Sequence, residues 1–261
     1  MLERLQKNAM PTSIVVVVLY GLWFVLPMFF KEIDPNAHGT VGVEGAMTMW
    51  SSEVITATVL FLIVTLLRWW KKIGFKGINK GSFKFLLPVI VLILLLLNLA
   101  WVQDDSSRWF LGFDTPSEAL ALLGVMLLLG FVEEGIFRGI LFYGLSTRLT
   151  PFYTVLITAF IFGSFHFVNL FTGESFNGVL YQSIHAFSMG FLYASLRLQL
   201  GAVWPLMLLH ASWDMTLFIL QTVGKHTEEA DLTLTSGLAI SIPALLYGSF
   251  VYWRWSKQKS H

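Results

Sequence analysis

Two adjacent glutamates, Glu133 and Glu134, precede Arg138 in an apolar run from Leu120 to Leu145 that is long enough to cross a bilayer. Near the centre of a membrane, each charged side chain costs about 3 kcal/mol on insertion scales. Three such charges in one segment therefore indicate a buried functional site.

The spacing of these charged residues predicts different roles for the two glutamates. Glu134 and Arg138 are four residues apart and share a helix face, which predicts an ion pair. Glu133 points about 100° away and has no partner on its own helix. Its carboxylate is suited to act as a general base for water. An ion pair that only fixes helix packing is the alternative for Glu134 and Arg138.

Two later apolar segments also carry ionisable residues, namely His166 in one and His210 with Asp214 in the other. At about 1.5 Å per residue, Glu134 and these three residues lie about 14 to 22 Å from the predicted helix ends. A lone buried histidine more often bonds to backbone, but the convergence favours one water-accessible site between three helices. His185 lies at a similar depth in no motif and is not included.

The amino-acid composition indicates what kind of structure must position this site. Of the 261 residues, 56% are hydrophobic and 13% are charged, and the mean hydropathy is +0.70. An ordinary soluble domain has about 25% charged residues, so the chain is predicted to be an all-α, polytopic membrane protein. The absence of cysteine excludes disulfides and thiolate chemistry. The basic residues are spread along membrane flanks, which argues against a nucleic-acid partner.

Apolar segments of spanning length predict about eight transmembrane helices in a single membrane domain over residues 1–261. Seven spans remain an alternative because the region between the fifth and sixth is polar. The first segment lacks a small-residue cleavage site and is predicted to be retained. The predicted spans are residues 12–30, 46–68, 83–102, 117–146, 151–168, 176–196, 201–223 and 233–254.

The basic residues predict the orientation of these spans. An even number of spans puts both termini on one side, together with thirteen lysines and arginines. The opposite loops carry three, which are Lys31, Arg108 and Lys225. Both termini are therefore predicted to be cytoplasmic, in a multi-pass protein of the cell membrane, with a prokaryotic cytoplasmic membrane expected.

Three sequence motifs resemble the signatures of the CAAX protease and bacteriocin-processing family. The motifs are EEGIFR at Glu133–Arg138, FGSFH at Phe162–His166 and HASWD at His210–Asp214. The family shows paired glutamates with a later arginine, then Phe-x-x-x-His, then His-x-x-x-Asn or Asp. The resemblance covers a core of about residues 117–222.

The resemblance implies an intramembrane endopeptidase whose substrate is a membrane-associated protein or peptide, lipidated in some members. Glu133 and His166 would activate the hydrolytic water, while His210 and Asp214 would stabilise the oxyanion or orient the first pair. Many members have Asn where this chain has Asp214, and a carboxylate is ordinarily an acceptor, which weakens an oxyanion role. The supporting residues would be Glu134, Arg138 and Phe162.

Relatives are often called metalloproteases, and Glu133, His166, His210 and Asp214 form an oxygen and nitrogen ligand set suitable for zinc. A glutamate base working without metal would use the same residues, so both chemistries stay open.

Two other functions compete with proteolysis. A non-catalytic peptide-binding or bacteriocin-immunity protein would retain the fold. An ion-coupled transporter would use intramembrane Glu, His and Asp as a proton relay, although the sequence shows no inverted repeat and no paired broken helices.

Overall fold

The computed structural model describes residues 2–26, 43–104, 111–224 and 233–259. These residues are almost entirely helical, which confirms the predicted all-α class. The α-helices are α1 (Leu2–Lys7), α2 (Ala9–Val25), α3 (Val43–Leu67), α4 (Leu87–Gln103), α5 (Pro116–Glu134), α6 (Phe142–Ser146), α7 (Pro151–Phe165), α8 (Phe176–Leu200), α9 (Trp204–Gly224) and α10 (Thr233–Lys259). A π-helix (Gly135–Leu141) joins α5 to α6, and a 3₁₀ helix (His166–Thr172) extends α7.

Five helical segments of the described residues are long and apolar enough to cross a membrane. Each of the eight predicted spans overlaps a helix, but the count of eight and the prokaryotic membrane stay predictions. The five segments are Trp50–Leu67, Phe83–Gln103, Pro116–Ser146, Pro151–Phe171 and Trp204–Val223.

The first and last helices meet the same basic end of the bundle. Gln6 Nε2 donates a hydrogen bond to the Leu66 carbonyl (3.4 Å) at the end of α3. In the loop that follows, Asn79 Nδ2 donates to the Gln199 carbonyl (3.0 Å), and Gln199 Nε2 donates to Gln258 Oε1 (3.2 Å). These bonds gather helix ends from across the chain. The cytoplasmic location of this end stays a prediction.

The π-helix interrupts a segment that the sequence predicts as one continuous helix. All seven of its residues are buried, and it begins directly after Glu134. Side chains of other helices bond to its carbonyl oxygens: Ser13 Oγ donates to Ile140 O (2.9 Å), and Arg197 Nε donates to Arg138 O (3.2 Å). Such π segments, which have one more residue per turn than an α-helix at that point, occur often at functional sites.

Close backbone packing at Gly130 brings α5 against α9. A Cβ atom at Gly130 would lie 2.5 Å from the Met207 carbonyl oxygen and 3.2 Å from the Ala211 nitrogen. Glycine therefore lets the two backbones approach, as small residues do between membrane helices. The contact lies one turn from Glu134 on α5 and includes the residue that follows His210 on α9.

Substituting Gly130 with alanine should separate these helices. We expect Gly130→Ala to destabilise the folded protein by about 1 to 3 kcal/mol, because the new methyl group meets backbone atoms that have no room to move. Gly77→Ala is the matched control, since nothing lies within 4 Å of the Cβ position there. Thermal unfolding of both variants in detergent tests this, and equal stabilities would contradict the packing argument.

Candidate active site

Glu134 is the centre of a buried hydrogen-bonded group. Arg138 Nη1 donates to Glu134 Oε1 at 2.8 Å, and both side chains are fully buried. This confirms the ion pair predicted from their spacing. His210 Nδ1 lies 2.8 Å from the same oxygen, so Nδ1 carries a hydrogen that it donates to the Glu134 carboxylate. Glu134 thus links α5, the π-helix and α9.

His210 joins the two glutamates to Asp214. Its Nε2 lies 3.2 Å from Asp214 Oδ2 and 3.6 Å from Glu133 Oε2. His210 and Asp214 share a face of α9, as their spacing predicts. Three carboxylates therefore surround the His210 imidazole, and the Arg138 guanidinium pairs with one of them, Glu134. Opposite charges stabilise such a group.

His166 lies where α7 changes into the 3₁₀ helix. Its Nδ1 is 3.0 Å from the Phe162 carbonyl, so Nδ1 carries the hydrogen and Nε2 is left as the acceptor. The Phe162 ring is 5.1 Å from the His166 ring and 6.2 Å from the His210 ring, and the Arg138 guanidinium lies 4.0 Å above its face. Phe162 separates the two histidines and holds Arg138 by a cation–π contact.

A cavity of about 170 Å³ adjoins this group. Three predicted site residues, His166, His210 and Asp214, line it together with Arg138 and Phe162. Glu133 and Glu134 are not among the lining residues. Glu133 contacts the group through His210 Nε2. It does so from a helix face about 100° away from that of Glu134.

Sequence reasoning missed cavity residues on α8. Gln182, His185 and Tyr193 line the cavity, and the Tyr193 hydroxyl is buried without a hydrogen-bond partner among the described residues. His185 stacks on Trp213 with 6.0 Å between ring centroids, and its Nδ1 lies 3.3 Å from Ser241 Oγ. The depth of His185 in its span was a usable signal, but no motif surrounds it.

The described residues contain no group of three or more His, Cys, Asp or Glu side chains arranged to hold a metal ion. His210, which would have to be a ligand, already has Nδ1 against Glu134 and Nε2 against Asp214. Both ring nitrogens of His210 are thus already engaged by carboxylates, and zinc dependence stays a prediction.

Buried Glu, His and Arg groups, with the half-buried Asp214, meet between membrane-spanning helices and define a polytopic membrane protein with an internal polar site. Residues 115–216 match the family described as type II CAAX prenyl endopeptidase Rce1-like. All three motifs lie inside that range, so the predicted resemblance is confirmed, and the match supports a membrane protease of the CAAX type. No curated protein and no solved structure matched the chain.

Removing Arg138 should damage the fold. Arg138→Ala leaves the Glu134 carboxylate buried with His210 as its remaining partner, and breaking a buried ion pair costs about 3 to 5 kcal/mol. We expect a large fall in thermal stability, measured against Arg148→Ala, which removes an exposed arginine at the end of the same helical segment. A normally stable Arg138→Ala protein would show that the ion pair is dispensable.

Proposed function

We propose that this protein is an intramembrane endopeptidase that hydrolyses a peptide bond in a membrane-associated protein or peptide. The observation that carries the proposal is the meeting of His166, His210 and Asp214 around one cavity, beside the buried glutamates. The family description names prenylated CAAX proteins as the substrate class to test first.

In the proposed reaction, Glu133 accepts a proton from a water molecule whose oxygen attacks the scissile carbonyl carbon. His166 accepts a hydrogen bond from the same water through Nε2, because its Nδ1–H is committed to the Phe162 carbonyl. When the tetrahedral intermediate collapses, the proton held by Glu133 passes to the leaving amine. The products are a carboxylic acid and an amine, so the proton is conserved.

Asp214 is best suited to orienting His210. An ionised carboxylate accepts hydrogen bonds, and Asp214 Oδ2 lies 3.2 Å from His210 Nε2. With Glu134 at Nδ1, both ring nitrogens are fixed and the imidazole is held beside Glu133. Charge on the oxyanion would then be balanced by the cationic Arg138, which lines the cavity and has Nη2 without a partner among the described residues.

Substitution of the base or of the water-binding histidine should abolish cleavage. We expect Glu133→Gln and His166→Ala to fold normally and to lose proteolysis, because each removes a group that handles the attacking water. The measurement is cleavage of a fluorogenic farnesylated CAAX peptide by the protein in liposomes. Glu118→Gln, at the first turn of α5, is the control that should stay active.

A second readout does not depend on the chosen peptide. The terminal peptides of membrane proteins are compared between cells that carry the intact protein and cells that carry His166→Ala at matched expression. New ends found solely with the intact protein would support proteolysis and reveal the substrate. Identical profiles would overturn the protease proposal in favour of a peptide-binding or immunity protein, and retained cleavage in either variant would overturn the site assignment.

Whether zinc takes part is a separate proposal with its own test. The zinc version expects that chelator treatment removes both metal and cleavage, and that zinc restores cleavage where magnesium does not. Metal content is measured by mass spectrometry on the same sample as activity. Full activity in metal-free protein would contradict the zinc version, whereas loss and specific recovery would contradict the metal-free glutamate base.

A further inference from the structure

Two buried polar side chains lie outside the three motifs and outside the residues that match the family. Tyr20 on α2 is 6% exposed, and Glu53 on α3 is fully buried. The Tyr20 hydroxyl and both carboxyl oxygens of Glu53 have no hydrogen-bond partner among the described residues. Burying polar groups in this way is costly, so each requires an explanation.

Tyr20 lies at the level of Glu133 in the bundle. Ser13 Oγ bonds to Ile140 O, and this bond fixes how the antiparallel α2 and π-helix pass each other. Tyr20 lies seven residues after Ser13, and Glu133 lies seven residues before Ile140. Both are therefore displaced in the same direction along the bundle, Tyr20 by about 10 Å and Glu133 by somewhat less, because a π-helix rises less per residue than an α-helix.

The ring contacts of Tyr20 place it against residues adjacent to site residues. Tyr20 stacks on Phe165 with 5.0 Å between centroids and meets Phe137 edge-on at 6.1 Å. Phe165 precedes His166, and Phe137 precedes Arg138. The ring is thus fixed at the back of the site, near the carboxyl groups of both Glu133 and Glu53.

Glu133 lacks a hydrogen-bond donor among the described residues. Its nearest ionic contact, His210 Nε2 at 3.6 Å, is too long for a hydrogen bond. A general base must be held in a fixed direction to accept a proton from water efficiently. An unpaired hydroxyl at the same level, on a fixed ring, can provide that direction.

Glu53 lies on α3, and Tyr20 lines a cavity together with Thr56 and Leu60 of that helix. Helix α3 runs parallel to α5, since Trp50 packs at Gly124 and Leu60 packs at Gly135. This alignment puts Glu53 about 8 Å from the level of Glu133, towards the start of α5. No cation of the described residues pairs with it, and burial without a partner disfavours the charged carboxylate. A neutral carboxyl group can act as a donor.

We propose that Tyr20 is a positioning residue for Glu133. Its hydroxyl donates to the Glu133 carboxylate through one water, and a protonated Glu53 donates to the phenol oxygen through a second, because neither the hydroxyl nor the Glu53 carboxyl has a direct partner among the described residues. The phenol hydrogen is then free to point at Glu133. The kinetic part of this proposal rests on the proposed function, while the hydrogen bond to Glu133 is testable without a substrate.

The first test is the infrared spectrum of the purified protein in liposomes. The Glu133 carboxylate band is identified as the band that Glu133→Gln removes. We expect Tyr20→Phe to shift that band, because it deletes one hydrogen-bond donor and leaves the ring contacts in place. Tyr247→Phe, which removes a distant hydroxyl bonded to the Phe85 carbonyl, should leave the band unchanged. An unshifted band in folded Tyr20→Phe would overturn the proposal.

The second test is kinetic and uses the farnesylated fluorogenic peptide. Tyr20→Phe should lower kcat about tenfold with KM unchanged, because a misdirected base slows chemistry without weakening substrate binding. If Glu133→Gln is inactive and Tyr20→Phe behaves like the intact protein, the positioning role is wrong. If Glu133→Gln remains active, the assignment of Glu133 as the base fails instead, and if the intact protein cleaves nothing, the proposed function fails.

The role of Glu53 is tested by a double-mutant cycle. Glu53→Leu should lower kcat about threefold in the intact protein and have no effect in a Tyr20→Phe background, because it acts through Tyr20. Equal effects in both backgrounds would contradict that role. Leucine fills similar space without a buried polar group, so the variant is expected to fold.

Discussion

The rest of the structure depends on one constraint, which is that the buried Glu134 carboxylate must be paired with both Arg138 and His210. A fully buried carboxylate is tolerated when paired, and Glu134 Oε1 has Arg138 at 2.8 Å and His210 at 2.8 Å. To supply His210, α9 must lie against α5, which requires glycine at position 130. To seat Arg138, α8 must also come close, since a Cβ at Gly190 would lie 3.3 Å from Nη2.

In the proposed mechanism, Glu133 is available as the base because Glu134 is held in the ion pair. The paired carboxylate fixes the fold of the polar layer, and the adjacent one, turned to the next helix face, keeps a weaker contact of 3.6 Å to His210. His210 connects the two tasks, since one ring nitrogen serves the structural pair and the other faces Glu133 and Asp214. A change in either half of this layer is transmitted through one imidazole.

The sequence predicted the interactions that follow from spacing on one helix, and missed those that depend on packing. The Glu134–Arg138 pair and the shared face of His210 and Asp214 follow from a four-residue separation. The π-helix could not be predicted from the sequence, because a segment buried on all sides shows no apolar periodicity that would distinguish α from π winding. Tyr193 and Glu53 were missed as well, because what marks them is that their polar atoms are buried without a hydrogen-bond partner among the described residues, and this is visible only in the packed structure.

The π-helix also changes the angular phase of the segment that contains it. Before Glu134, the inward face of α5 meets α9 at Gly130. From Ile140 onward, the same segment meets α2, where Ser13 bonds to Ile140 and packs at Gly144. One extra residue in a turn rotates everything downstream by about 100° relative to an unbroken helix. In a related chain, a residue after positions 135–141 therefore lies on the same helix face as its counterpart here only if that chain has the extra residue too.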